Sequence, residues 1–150
     1  NPMGNGALYT HDFYAWTQEQ AALLEARRFE ELDMPNLLEE LTSLGISHKH
    51  ALGSHLKILV MHLLKWYYQP EMRQTGHSWR SSITNARDEI AVLLDDSPSL
   101  RRDIPELLTR RYPVARRLAQ EETGLSPWTF PEHCPWTIAQ LFDADFFPER

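Results

Sequence analysis

A chain of 150 residues, 42% apolar and 24% charged, is long enough to bury a core and has the composition of an ordinary globular protein. Its formal charge of −6 opposes the non-specific attraction to nucleic acid or to an anionic membrane that a basic surface provides. The single cysteine, Cys134, excludes an intramolecular disulfide and points to a reducing, cytoplasmic setting.

The longest apolar run, Ile58 to Leu64 with His62 inside it, falls far short of the ~20 residues of a membrane span. No basic stretch precedes an apolar one near the start, so no signal peptide is expected. Residues 1–11 read as a frayed start, with 12–150 as a single all-helical domain. Strict alternation never persists and β-branched residues are sparse, so no strand is expected.

A first helix is predicted from Asp12 to Arg27, with Asp12 as N-cap and Phe13, Trp16, Leu23 and Leu24 on one face. Phe29 and Leu32 occupy a short connection before Pro35, which suits a first helical position. Leu37, Leu41, Leu44, His48, Leu52, Leu56, Leu59, Leu63 and Trp66 then recur about every 3.6 residues, the period of a straight helix. The phase continues through Gly45 and Gly53, although each glycine costs ~1 kcal/mol in a helix interior. One helix from Pro35 to Tyr68, ~50 Å long at 1.5 Å per residue, is therefore expected, with a break near Gly45 as its rival. Leu56 to Trp66 is apolar around most of its circumference, which places it at the centre of the core.

Gln69-Pro70 ends that helix, and a loop runs through Gly76. Ser78 caps a third helix with Trp79, Ile83, Ala86, Ile90 and Leu93 inward. Ser97-Pro98 stops it and opens the next. There, Ile104, Leu107, Leu108, Tyr112, Ala115, Leu118 and Ala119 face inward, Pro105 splits off the first turn and Pro113 kinks the helix. Gly124 is a C-terminal cap. The tail from Leu125 is rich in proline and aromatic residues and should pack against the bundle. Thr137 to Gln140 forms a capping box that opens a short helix to about Phe142. Trp-Thr-x-x-Gln occurs at Trp16 and at Trp136, two echoes too short to be a repeat. The fold class is all-α: an irregular bundle of four or five helices around a long, largely buried central helix.

Several segments carry a family likeness: Phe13-Tyr14-Ala15-Trp16, Glu39-Glu40-Leu41, Leu44-Gly45, Met61-His62-Leu63-Leu64-Lys65-Trp66 and Gln69-Pro70. Ser78-Trp79-Arg80, Ser97-Pro98-Ser99-Leu100 and Cys134-Pro135-Trp136-Thr137 extend it. From about Asp12 to Glu149 the chain resembles the bacterial family known only as domain of unknown function number twenty-nine. The resemblance implies an all-helical domain and carries no activity or catalytic residue with it. Pro113 departs from the uninterrupted helix that the family leads one to expect there.

The polar residues must be weighed one by one. His48, His55 and His62 recur every seven residues, ~10.5 Å of rise, too far apart to share one metal ion. A metal site would have to borrow Glu39 or Glu40, which one straight helix forbids, so no metal and no cofactor are expected. His62 and Lys65 stand in an apolar helix, and His62 lies about 80° from the centre of the leucine stripe, at the border of the core. Together with Trp79 as an apolar wall and Arg87 as an anion-binding fork, they could line a small-molecule pocket. Against that stands a bland reading in which His62 bonds one carbonyl or carboxylate and Lys65 snorkels to water.

Arg111 falls on the inner face of its helix, where a carboxylate partner is expected from Asp88, Glu89, Glu40 or Glu121. The arginine pairs at 101–102, 110–111 and 116–117 scatter around their helix, as on a solvated, ion-paired surface. Cys134, set between prolines, reads as a small buried hydrophobe. No phosphate loop, dinucleotide fingerprint or zinc spacing is present. The leading functional reading is a non-enzymatic cytosolic interaction module with a protein partner. A small-molecule or hydrolytic site at His62, Lys65, Trp79 and Arg87 is the second. An arginine-patch nucleic-acid regulator, opposed by the net charge, is the third.

Overall fold

The computed structural model describes residues 2–75 and 78–149, with side chains from residue 7 onward. The far end of the expected loop, at Gly76, lies outside the described residues. Of those described, 79% are helical and none is in a strand. Six α-helices follow in order: α1 (Pro2–His11), α2 (Phe13–Glu25), α3 (Met34–Tyr68), α4 (Trp79–Asp96), α5 (Ile104–Thr123) and α6 (Ile138–Phe142). Short 3-10 turns sit between several of them, the longest at Pro98–Asp103. Within the stretch read as frayed, Pro2–His11 form a sixth helix, α1. Glycines at positions 4 and 6 and the lack of an apolar period had hidden it.

The long helix is continuous. α3 is one α-helix of 35 residues that runs through Gly45 without a turn. Nothing approaches within 4 Å of where a Gly45 side chain would start. Gly53 is different, because a methyl there would come within 3.0 Å of Arg111 Nε. The Arg111 side chain thus lies against α3 where the missing side chain of Gly53 admits it.

The chain divides into two compact units, Asn1–Ser47 and His48–Arg150. In the first, Trp16 and Gln20 are almost wholly buried and Leu23 nearly so. Tyr9 and Phe13 pack on the Trp16 ring at 4.8 and 5.6 Å between centroids. Asp33 ties α2 to the start of α3. Its carboxylate accepts from Trp16 Nε1 at 3.0 Å and Asn36 Nδ2 at 2.8 Å, while its own N–H donates to Gln20 Oε1 at 2.8 Å. A carboxylate at a helix N-terminus also opposes the macrodipole favourably.

α2 starts as predicted, with the Asp12 carboxylate accepting from Ala15 N–H. It ends two residues earlier than expected, in a Schellman motif. Arg28 N–H bonds the Leu23 carbonyl and Arg27 N–H that of Leu24, with Arg27 at φ 57°. The position that normally holds glycine holds arginine, so the stop carried no sequence signal.

In the second unit the core centres on α3. Leu52, Leu56, Leu59, Leu63 and Leu64 are fully buried, closed in by Ile83 and Ile90 of α4 and Leu107, Ala115 and Ala119 of α5. Leu94 of α4 is buried where Leu93 was expected, and Leu93 is half-buried. α5 keeps its helix through Pro113, follows the 3-10 turn that Pro105 was expected to split off, and ends at Gly124 with φ 72°. Ser78 stands at the N-cap of α4 and Ser97 at that of the 3-10 turn, neither with a side-chain capping bond. Thr137 and Gln140 form the predicted capping box of α6.

The tail packs as its composition required, with Phe130 and Leu141 buried in the same core. Its backbone is held by arginines. Arg116 donates to the carbonyls of Phe130 and Pro127 at 3.0 Å, Arg73 to those of Trp66 at 2.7 Å and Pro148 at 3.3 Å, and the Tyr112 hydroxyl to that of Pro131. A proline-rich segment forms no ladder to satisfy its carbonyls, and guanidinium forks take that role.

One expectation about α3 fails. It is buried only from Leu52 onward; Leu38, Leu41 and Leu44 are 66%, 68% and 62% exposed, and His48 is exposed as well. Periodicity reports that a helix has an apolar face, not what covers it.

Candidate functional site

All four residues singled out from the sequence lie in the second unit. α3 brings His62 and Lys65 one turn apart, and α4 opens with Trp79. Lys65 is 6% exposed and donates from Nζ to Glu122 Oε1 at 2.7 Å. The ammonium also lies 5.8 Å from the Trp79 ring centroid, within cation–π range. Lys65 thus neither snorkels alone to water nor stands unpaired. Its partner Glu122 is about half exposed, so the pair sits at the edge of the core with one foot in solvent.

Glu122 was missed in the sequence, where Glu121 was weighed only as a partner of Arg111 and no carboxylate was named for Lys65. The signal was present: Ala115, Ala119 and Glu122 follow at helical spacing on α5, so Glu122 ends a buried alanine row.

His62 is half-buried, with Nδ1 2.9 Å from the Ile58 carbonyl. A carbonyl only accepts, so Nδ1 carries the hydrogen. Burial is the main cause that pulls its pKa below the ordinary histidine value, and the Lys65 charge adds to this; the Ile58 bond and Glu122 act against it. The ring is held neutral at pH 7.

Arg87 belongs elsewhere. It is buried, donates from Nε to the Leu141 carbonyl at 2.7 Å and from Nη2 to that of Gln140 at 3.3 Å, and lies 5.4 Å from the Phe147 ring. Its guanidinium closes the end of α6. Burial depresses its pKa, with the Asp143 charge opposing. The structure therefore brings together His62, Lys65 and Trp79, adds Glu122 and turns Arg87 to the tail.

Three open cavities of the second unit are lined by other residues. One of about 480 Å³ lies between α5 and the tail, with Tyr112, Arg116, His133 and Cys134 in its wall. Another, about 290 Å³, is edged by Tyr67, Tyr68 and Trp136, and a third, about 130 Å³, by Arg116, Gln120 and Pro127. None of these three has His62, Lys65, Trp79 or Arg87 in its wall. Cys134 is half-buried, its thiol pushed up by burial although the thiol also donates to the Trp136 carbonyl. It remains a thiol at neutral pH, the form that does not act as a nucleophile.

Among the described residues, no three His, Cys, Asp or Glu side chains come together as a metal-holding group. Glu40 instead accepts the Tyr9 hydroxyl in the first unit, and that bond is the main cause that pushes the Tyr9 pKa up to about 12. The arginine pairs of α5 form no patch: Arg110 reaches Glu106 at 3.3 Å, Arg117 reaches Glu121 at 3.9 Å, and Arg116 faces the tail.

The family model for "Domain of unknown function DUF29" matches residues 8–147, nearly all of both units. The chain belongs to the DUF29 family. No curated protein and no solved structure matches it. For this DUF29 chain the family thus fixes kinship without naming an activity, and its chemistry must be read from its own side chains. Among the described residues no helix is long and apolar enough to cross a membrane.

Proposed function

We propose that the chain is a non-enzymatic protein-interaction module, and that the first unit carries the interaction surface. The observation that carries this reading is the exposed apolar face of α3. Met34, Leu38, Leu41 and Leu44 are each 60–68% exposed. Soluble proteins rarely leave so many large apolar side chains together in water unless something docks there. The polar groups of the second unit support the same reading from the other side. His62, Lys65 and Arg87 hold Ile58, Glu122 and the tail carbonyls, the bonds of a structural core. A reducing bacterial cytosol is the setting proposed with this function.

The test is site-specific photo-crosslinking in cells that make the full chain. A photoreactive residue at Leu41 is expected to give a discrete adduct, and one at Ser43, on the opposite face of α3, none. No adduct at 41, or equal adducts at both, overturns the reading.

A second reading, a small-molecule or hydrolytic site at His62, Lys65 and Trp79, draws on one observation. A neutral histidine lies beside an ammonium–carboxylate pair with a half-exposed oxygen end. Exchange broadening of the His62 ring signals by a small-molecule library would favour it.

A further inference from the structure

The reading of the first unit as an interaction surface can be taken to a partner class, and the inference rests on that reading. The sequence carries eight acidic and two basic side chains within Asn1–Ser47, so the first unit has a formal charge of −6. His48–Arg150 carries thirteen of each and is neutral. The whole net charge of the protein sits on the unit that presents the apolar face.

At about 100° per residue, Met34, Leu38, Leu41 and Gly45 fall within a sector of roughly 60°, and Leu37 and Leu44 widen it to roughly 120°. Their spacing of four, three and four residues is that of a helix–helix seam, in which side chains of one helix fill gaps in the other. Gly45 supplies such a gap, with open space above its Cα. On α3 itself Glu40, half-buried and bonded to Tyr9, stands about 100° from the centre of this sector, and Glu39, exposed, lies on the far side of the helix. The charge that selects a partner here is that of the whole unit, −6 around an apolar face.

We infer that this face receives a basic amphipathic helix of another protein, its apolar side chains on the leucine seam and its lysines or arginines drawn by the negative charge of the unit. A second copy of the chain fits worse, because it would press two units of −6 against each other. An anionic membrane or a nucleic acid is repelled by the same charge.

The experiment uses the full chain and a fluorescent synthetic helix with leucine at the seam positions and lysine elsewhere. Two control peptides carry glutamate for lysine, or serine for leucine. Fluorescence anisotropy should show micromolar binding of the leucine–lysine peptide, weakened about tenfold between roughly 50 and 300 mM salt as screening sets in. The double variant Leu38→Ser/Leu41→Ser should lose about tenfold or more, and Val92→Ser on α4, also an exposed apolar position, should lose none.

Circular dichroism on both variants verifies that helix content is kept. No binding of the leucine–lysine peptide overturns the inference, as does equal binding of the glutamate peptide, a merely sticky face, or of the serine peptide, a merely charged one. Self-association of the protein that Leu41→Ser abolishes would make a second copy the occupant and overturn it too. An adduct from position 41 in cells alongside failure of the leucine–lysine peptide would sink the partner class while leaving the interaction reading in place.

Discussion

Truncating the leucines of α3 one at a time converts the two halves of a single helix into a graded measurement. Leu59 and Leu63 have no exposure and are enclosed by α4 and α5. Changing either to alanine removes buried atoms and leaves a cavity that a helix fixed on both sides cannot close, a loss of ~2–5 kcal/mol. Leu38 and Leu41 keep about two-thirds of their surface in water. Alanine there forfeits little burial and gains slightly in helix propensity, so the change should stay within ~0.5 kcal/mol. Urea denaturation followed by circular dichroism reads the difference as a shift in midpoint at constant slope. Losses of similar size at Leu41 and Leu63 would refute the division of α3 into a free and a buried half.

Lys65 and Glu122 should respond unequally: Glu122→Gln strands a buried ammonium and destabilises by ~1–3 kcal/mol, whereas Lys65→Met stays within ~1 kcal/mol, again read by urea midpoints. His62 has a folded pKa below its unfolded one, so its contribution is present above about pH 6.5 and lost as pH falls through the folded value. Stability measured from pH 7.5 to 5 should therefore fall more steeply in the wild type than in His62→Gln, and parallel curves would contradict the assignment. Gly45→Ala, with open space around it, should stabilise by ~0.5–1 kcal/mol, and Arg27→Gly by a similar amount through relief of its positive φ. A lower melting temperature in either would show that the local geometry is misread.

What the sequence made legible were the features that local physics controls. The 3.6-residue period carried α3 across two glycines, and Asp12, Gly124 and the Thr137–Gln140 box marked ends whose bonds are made within a few residues. The features it hid depend on distant neighbours. Arg87 read as an anion-binding fork, but its guanidinium donates to carbonyls of a tail more than fifty positions away. For His62 the sequence left a carbonyl or a carboxylate open as partner; the ring bonds the Ile58 carbonyl within its own helix, while Glu122, whose charge also acts on it, comes from another. The exposed leucines were hidden for the same reason: residues 37–48 and 52–66 have one pattern and two environments.

Hydrogen–deuterium exchange along α3, with and without the leucine–lysine helix, bears most directly on the claim that its first half is a docking face and its second half a core. In the protein alone, amides of residues 37–48 should exchange far faster than those of 52–66, because few buried contacts hold them. Added peptide should slow residues 37–48 and leave 52–66 unchanged. Residues 37–48 already as protected as the core, or protection that appears on α4 and α5 instead, would contradict the account.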